Sequence, residues 1–285
     1  MIQAIRRTIA YADLFDQAIT PLDIHRYLEV AASVADVRAA LDRHDGTAWV
    51  RHDGLYCLPG RYPVIETTLQ RRQDAAKIWG RAKRWAAIMS HVPFVRMVAV
   101  TGSLSMHNMK PGSDMDFFIV TAHGRVWLTR MLLVILVRFA RLLHDELCPN
   151  YLLSANALTL NDRSYFTARE FVQMIPLYGL DVYREMRALN RWALEFLPAA
   201  EGAPTGPIEI RLGRPVQAVK GFLEALLRSP VGDWLETWEQ RRKIKRLRRL
   251  PGADSSSVAL SADECKGHFN NTNRRIADHR TQFLV

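Results

Sequence analysis

From Met97 to Thr121 the chain reads MVAVTGSLSMHNMKPGSDMDFFIVT, and this stretch limits the fold more sharply than any other. Val95 to Val100 is short and mostly apolar, which suits a buried strand. It ends at Gly102-Ser103. A Pro111-Gly112 turn then leads into Asp114-Met115-Asp116, and Phe117 to Val120 again reads as a buried strand. Residues two apart on a strand share a face, so Asp114 and Asp116 project together while Met115 and Phe117 pack behind them. Two parallel carboxylates at a strand edge make a hard-oxygen site suited to Mg²⁺. Gly102 lets the backbone approach a ligand without a Cβ in the way, and Ser103 adds a hydroxyl and opens a short helix whose free N–H groups favour phosphate. The parts suit one job: hold a triphosphate, clamp it through metal to two acids, and let an incoming hydroxyl displace pyrophosphate in line.

An apolar strand, Gly-Ser, ten intervening residues and Asp-x-Asp followed by Phe-Phe-Ile-Val resembles the DNA polymerase β-type nucleotidyltransferase superfamily. The context SDMDFFIVT looks like its minimal and antibiotic-type members. The resemblance implies that Gly102 and Ser103 contact nucleotide phosphates and that Asp114 and Asp116 are the catalytic acids, ligating Mg²⁺ (or Mn²⁺). Many relatives carry a basic residue shortly after the serine, where Met106 and His107 stand here. Lys110 is the nearest basic substitute, and Ser113, next to the acids, completes the nucleotide-binding set. The resemblance further implies a third carboxylate on a later strand. The next strand-like run is Asn150 to Ser154, which places Asn150 at that position. Its carbonyl can coordinate a metal, but it cannot take a proton. Either Asp145 or Glu146 substitutes, or catalysis is impaired. Specific similarity covers roughly residues 96–121, and the order of elements agrees to about 160.

Around this core the pattern predicts an α+β chain: a small mixed-sheet nucleotidyltransferase core flanked by an N-terminal winged helix and a C-terminal helical region. Residues 1–60 read as three short helices and a hairpin. Thr20-Pro21 and Ser33 supply helix starts, the second helix running to about Glu29, and Asp53-Gly54 between two short strand-like runs is a strong hairpin signal. The third helix holds Arg38 and Arg43 but also Asp36 and Asp42, so it brings no net charge to a phosphate groove. Residues 61–93 form a bridging helix, 94–162 the core, 163–250 an all-helical region, and 251–285 a flexible or partly helical tail. Val126 to Leu143, broken by Arg130, Arg138 and Arg141, reads as a core-packed helix with one basic face rather than a membrane span, which needs about 20 apolar residues.

The formal charge of +10 is unevenly spread, because Arg241 to Arg249 (RRKIKRLRR) holds seven basic residues and no acid. This local basic helix fits a solvated helix face, a phosphate backbone or a membrane surface, and it or residues 1–60 is where nucleic acid or a partner protein would dock. Cys57, Cys148 and Cys265 are odd in number, far apart and without a CxxC pair, which supports neither a disulfide framework nor a structural zinc site and fits a reduced, cytoplasmic setting. No signal-peptide pattern opens the chain. No P-loop is present, and the three His-Asp dipeptides lack the further ligands of a metal phosphohydrolase. The expected function is Mg²⁺-dependent transfer of a nucleoside monophosphate from an NTP, with ATP the expected donor, to a hydroxyl acceptor that the sequence does not identify. The alternative is a catalytically weak or inactive nucleotide-sensing regulator that binds nucleic acid or a partner protein.

Overall fold

The structure is a computed structural model and describes residues 1–204, 209–249 and 258–267. The first unit contains α1 (Ile2–Asp13), α2 (Pro21–Arg26), α3 (Val34–Arg43), β1 (Val50–His52) and β2 (Leu55–Cys57). Thr20 and Ser33 each close a capping box, with Asp23 and Asp36 respectively, satisfying backbone donors at the starts of α2 and α3. α2 stops at Arg26, short of Glu29. Asp53 and Gly54 both take positive φ, as a two-residue turn between antiparallel strands requires. Ile5, Ile9, Ile24, Val37, Leu41 and Trp49 meet in one buried cluster.

The 29-residue α4 (Pro63–His91) runs from this unit onto a six-stranded sheet. β3 (Val95–Val100), the short α5 (Gly102–Ser105) and β4 (Met115–Thr121) form its centre. α6 (Val126–Leu142) then crosses over to β5 (Leu147–Ser154), parallel to β4. α7 (Tyr165–Val172) follows, then β6 (Ile175–Tyr178), α8 (Leu180–Leu189), α9 (Ala193–Phe196), α10 (Arg214–Leu227), α11 (Pro230–Leu247), β7 (Val258–Leu260) and β8 (Glu264–Gly267). The sheet order is β6-β3-β4-β5-β8-β7, with every neighbouring pair antiparallel except β4 and β5.

Strand alternation divides the core in two. Val98, Val100, Phe117 and Ile119 pack with residues of α4 and α6, whereas Met97, Ala99, Phe118 and Val120 pack with residues of α7, α8 and α9. Asp116 shares the parity of Phe118 and therefore faces the α7 side.

Two expectations are corrected. Residues 163–250 are not all helical: Ile175–Tyr178 forms β6, antiparallel to β3 at the sheet edge. Pro176 fits there because an edge strand can do without one backbone donor. Gly179 lets the chain turn into α8, with φ +76° and a built Cβ only 2.0 Å from the Arg96 carbonyl oxygen. The segment from 251 is likewise not simply tail, since residues 258–267 form a hairpin that joins the sheet through β5. The core sheet thus draws strands from beyond 94–162. The helix expected within Cys265 to Val285 falls mostly outside the described residues. α6 is core-packed as read, but its outer side exposes Ile135, Phe139 and Leu142 alongside Arg138 and Arg141. No helix among the described residues is long and apolar enough to cross a membrane.

Candidate active site

β3 delivers Thr101 and Gly102 beside the start of β4. The Thr101 backbone N–H donates to the Asp116 carbonyl oxygen at 3.0 Å, which pins the turn to the strand. Gly102 has φ +62°, and a Cβ built there would lie 2.5 Å from Asp116 Oδ2. The bare backbone at this turn is therefore in direct contact with one of the two acids, a closeness that only glycine permits. Ser103 follows, and its carbonyl accepts from the Asn108 N–H at 2.8 Å, closing the loop behind it.

Asp114, exposed just before β4, and Asp116, half-buried at its second residue, converge with Cys148 of β5, their potential ligand atoms all lying within 4.8 Å of one another. The parallel register pairs Asp116 with Cys148 directly, and a bulge follows, so that Phe118 pairs with Tyr151. The register sets Cys148 opposite Asp116 and leaves Asn150, the expected third-ligand position, in the bulge, where it lines the adjoining cleft. β5 begins at Leu147 rather than at Asn150, and the bulge changes which residues share a face. Burial pushes the Asp116 carboxyl up to about 7, reinforced by the neighbouring charge of Asp114, with a hydrogen bond from Cys148 opposing the rise. The Cys148 thiol is raised by burial and by the two acids, which holds it neutral.

The acids proposed as substitutes do not face this cluster. Asp145 accepts from Arg81 and from the Trp85 indole, both at 2.7 Å, and so ties the end of α6 to α4. Glu146 is exposed and paired with Arg141 at 3.1 Å. Lys110 is exposed and lies 4.0 Å from Asp16 of the N-terminal unit. The Ser113 N–H donates to the Lys110 carbonyl across the Pro111-Gly112 turn that feeds the acids. His107 is held by the Trp79 indole N–H on its Nδ1 at 3.2 Å, and burial lowers its pKa, so it stays neutral as an acceptor.

Sequence reasoning missed Glu170. It lies on α7, on the sheet face that carries Asp116, and it lines a cleft with Thr101, Phe118, Asn150, Tyr151 and Lys266. Burial raises its carboxyl to about 7 against the opposing charge of Lys266, and its own charge adds to the rise at Asp116. Lys266 comes from β8 and sits 5.4 Å from the centre of the Tyr151 ring. The available signal was faint: a lone acid inside the apolar stretch SYFTAREFV.

The N-terminal unit braces this region. Gln17 Nε2 donates to the Met106 carbonyl at 2.8 Å, just after α5, and Arg71 reaches the Phe15 carbonyl and Asn108 Oδ1. Arg169 of α7 stacks between the rings of Tyr11 and Tyr27, 4.2 and 4.0 Å from their centres. α3 exposes Asp36, Arg38, Asp42 and Arg43, and Asp42 already pairs with Arg51. The basic run 241–249 continues α11 and is largely exposed, with Arg242 bound to Glu239 at 2.6 Å. Comparison with models of protein families, with curated proteins and with solved structures found no match.

Proposed function

We propose that this chain is a Mg²⁺-dependent nucleotidyltransferase that moves a nucleoside monophosphate from an NTP, with ATP the expected donor, to a hydroxyl acceptor. The observation that carries the reading is the convergence of Asp114 and Asp116 at a turn whose backbone touches Asp116. The donor set fits the metal: two carboxylates, completed by phosphate oxygens and water, is how Mg²⁺ is commonly held. Cys148, a soft donor kept as a neutral thiol, adds no charge and does not turn the pair into a zinc-type thiolate site. A bound Mg²⁺ would neutralise charge on the transferring phosphate. Around it, Asp114 and Asp116 supply the ligating oxygens, Gly102 permits close approach of the phosphate chain, and Ser103 offers a hydroxyl to it. Lys110 and Ser113 are the further phosphate contacts of this reading. Glu170, titrating near neutrality on the same face, is the group to receive the proton of the acceptor hydroxyl, since a base works best when its pKa lies near the working pH.

One observation favours a second reading. The third member of the acid cluster is a thiol, and Asn150 stands where a third strand-borne carboxylate is expected, which suits a nucleotide sensor without turnover. Incubation with α-labelled ATP, Mg²⁺ and a panel of hydroxyl compounds, RNA ends and proteins separates the two. Label transfer that disappears in Asp114→Asn and Asp116→Asn supports the enzyme. Nucleotide binding without transfer to any acceptor class supports the sensor.

A further inference from the structure

α10 and α11 bury several charged side chains and expose several large apolar ones. Lys220 and Glu224 of α10 are buried, as are Glu236 and Glu239 of α11, whereas Val219, Phe222 and Leu226 of α10 are 60%, 70% and 60% exposed. Those three, with Leu223, fall at three- and four-residue spacing and so form one outward stripe. The buried charges are specifically used. Lys220 Nζ donates to the Ser90 and Val95 carbonyls at 2.8 and 2.7 Å, Glu224 clamps Arg96 and the Phe94 N–H, and Glu236 accepts from the Trp127 and Leu128 N–H groups at the start of α6. These polar bonds, with Leu227, Leu235 and Ile244 packed on the core, fix the hairpin in place, and the exposed Val219, Phe222, Leu223 and Leu226 take no part in that attachment. On α11, Trp234 and Trp238 are exposed and stacked, ring centres 6.1 Å apart. The Arg242 guanidinium lies 5.1 Å from the Trp238 ring, which places the start of the basic run against the aromatic pair.

We propose that the outer face of the α10–α11 hairpin docks on an anionic lipid surface, its aliphatic and tryptophan side chains entering the headgroup region while the 241–249 run meets the lipid charge. Three features select this occupant. Tryptophan with leucine and phenylalanine on one side and lysine and arginine beside it is the composition of a helix lying in a membrane interface. Phosphate-backbone binding uses the cations but gives the α10 stripe nothing to bury in. A second copy meeting this face about a two-fold axis would bring two runs of seven cations, of which Arg242 is paired with Glu239, toward each other. The α6 helix, beside which α11 packs, carries its own exposed Ile135, Phe139 and Leu142 between arginines. The inference is independent of the acid site.

The test is co-sedimentation of the full chain with vesicles of equal phosphatidylglycerol and phosphatidylcholine, and with phosphatidylcholine alone, while tryptophan emission is followed. Binding to the anionic vesicles with a blue shift is expected, with little on the neutral ones. Phe222→Ser with Trp234→Ser, and separately Arg241→Glu with Lys245→Glu, should each weaken binding about tenfold or more. All four positions are exposed, and Leu226→Ser serves as a second apolar variant if the first pair fails to fold. The proposal is overturned if the anionic vesicles are not bound, or if both apolar variants bind them as the unmodified chain does. It is also overturned if the same variants abolish self-association or RNA binding in a chain that ignores vesicles.

Discussion

Gly102→Ala probes the contact between the turn and the acid pair with a single methyl group. The native backbone has φ +62° there, and alanine in this left-handed region costs about 1–2 kcal/mol. The new Cβ also starts 2.5 Å from Asp116 Oδ2, and ordinary contact begins near 3.4 Å, so the carboxylate must withdraw by about 1 Å. Gly54 provides the matched control, with φ +73° and nothing within 4 Å of its built Cβ. Urea unfolding should show both variants losing about 1–2 kcal/mol. Nucleotidyl transfer should fall by about 10²-fold in Gly102→Ala alone, because a displacement near 1 Å at a reacting centre carries that cost. If Gly102→Ala transfers label as well as Gly54→Ala does, the Asp116 carboxylate is not where the reaction needs it and the reasoning fails.

Four other predictions follow from neighbouring features. Cys148→Asp adds a third carboxylate beside Asp116, so the metal-free protein should unfold at lower urea than the unmodified chain. Mg²⁺ should restore it, by about 2.7 kcal/mol at a hundredfold excess over the dissociation constant, and a midpoint indifferent to Mg²⁺ would argue against a cation site. Glu170 binds its proton more tightly folded, near 7, than unfolded, at 4.5, so its contribution to stability is full below 4.5 and is lost as pH rises to about 7. Glu170→Gln should therefore gain up to about 3 kcal/mol on the unmodified protein between pH 4.5 and 8 in urea titrations, and parallel pH curves would refute the burial argument. Glu236→Ala strips two backbone N–H groups at the start of α6 of their acceptor and should cost about 1–3 kcal/mol, read by thermal unfolding. Lys220→Met should cost a similar amount and flatten the stability curve between pH 8 and 10.5. The folded lysine titrates near 8, so the unfolded chain binds more protons in that window and stability rises through it.

Local chemistry made much of the architecture legible. The capping serine and threonine, the Asp53-Gly54 turn and the proline at the start of α4 act within a few residues, and they set the starts of α2, α3 and α4 and the hairpin turn where the pattern placed them. The Asp-x-Asp strand was readable for the same reason, since parity along one strand needs no partner. What could not be read depended on pairing between distant segments. The β4–β5 register and its bulge decide that Cys148 meets Asp116, and no spacing within β5 announces a bulge. β6 lies in a stretch that is helical by period and becomes a strand because β3 offers it an edge. β8 supplies Lys266 to the cleft from more than a hundred residues beyond Tyr151. The helix period of 215–250 was right, yet the period does not say which face turns inward. Only the partners Arg96, Ser90 and Trp127 explain why the charged side of α10 and α11 is the buried one.

The claim underlying the catalytic reading is that Asp114 and Asp116 share one divalent ion with a nucleotide phosphate chain. Electron paramagnetic resonance of Mn²⁺ titrated into the protein, with and without a non-hydrolysable ATP analogue, addresses it without any knowledge of the acceptor. The account predicts one bound Mn²⁺ whose affinity rises when the nucleotide is present, lost in Asp116→Asn and weakened in Asp114→Asn. Mn²⁺ and nucleotide that bind with no mutual effect, or binding that survives the loss of both carboxylates, would contradict it.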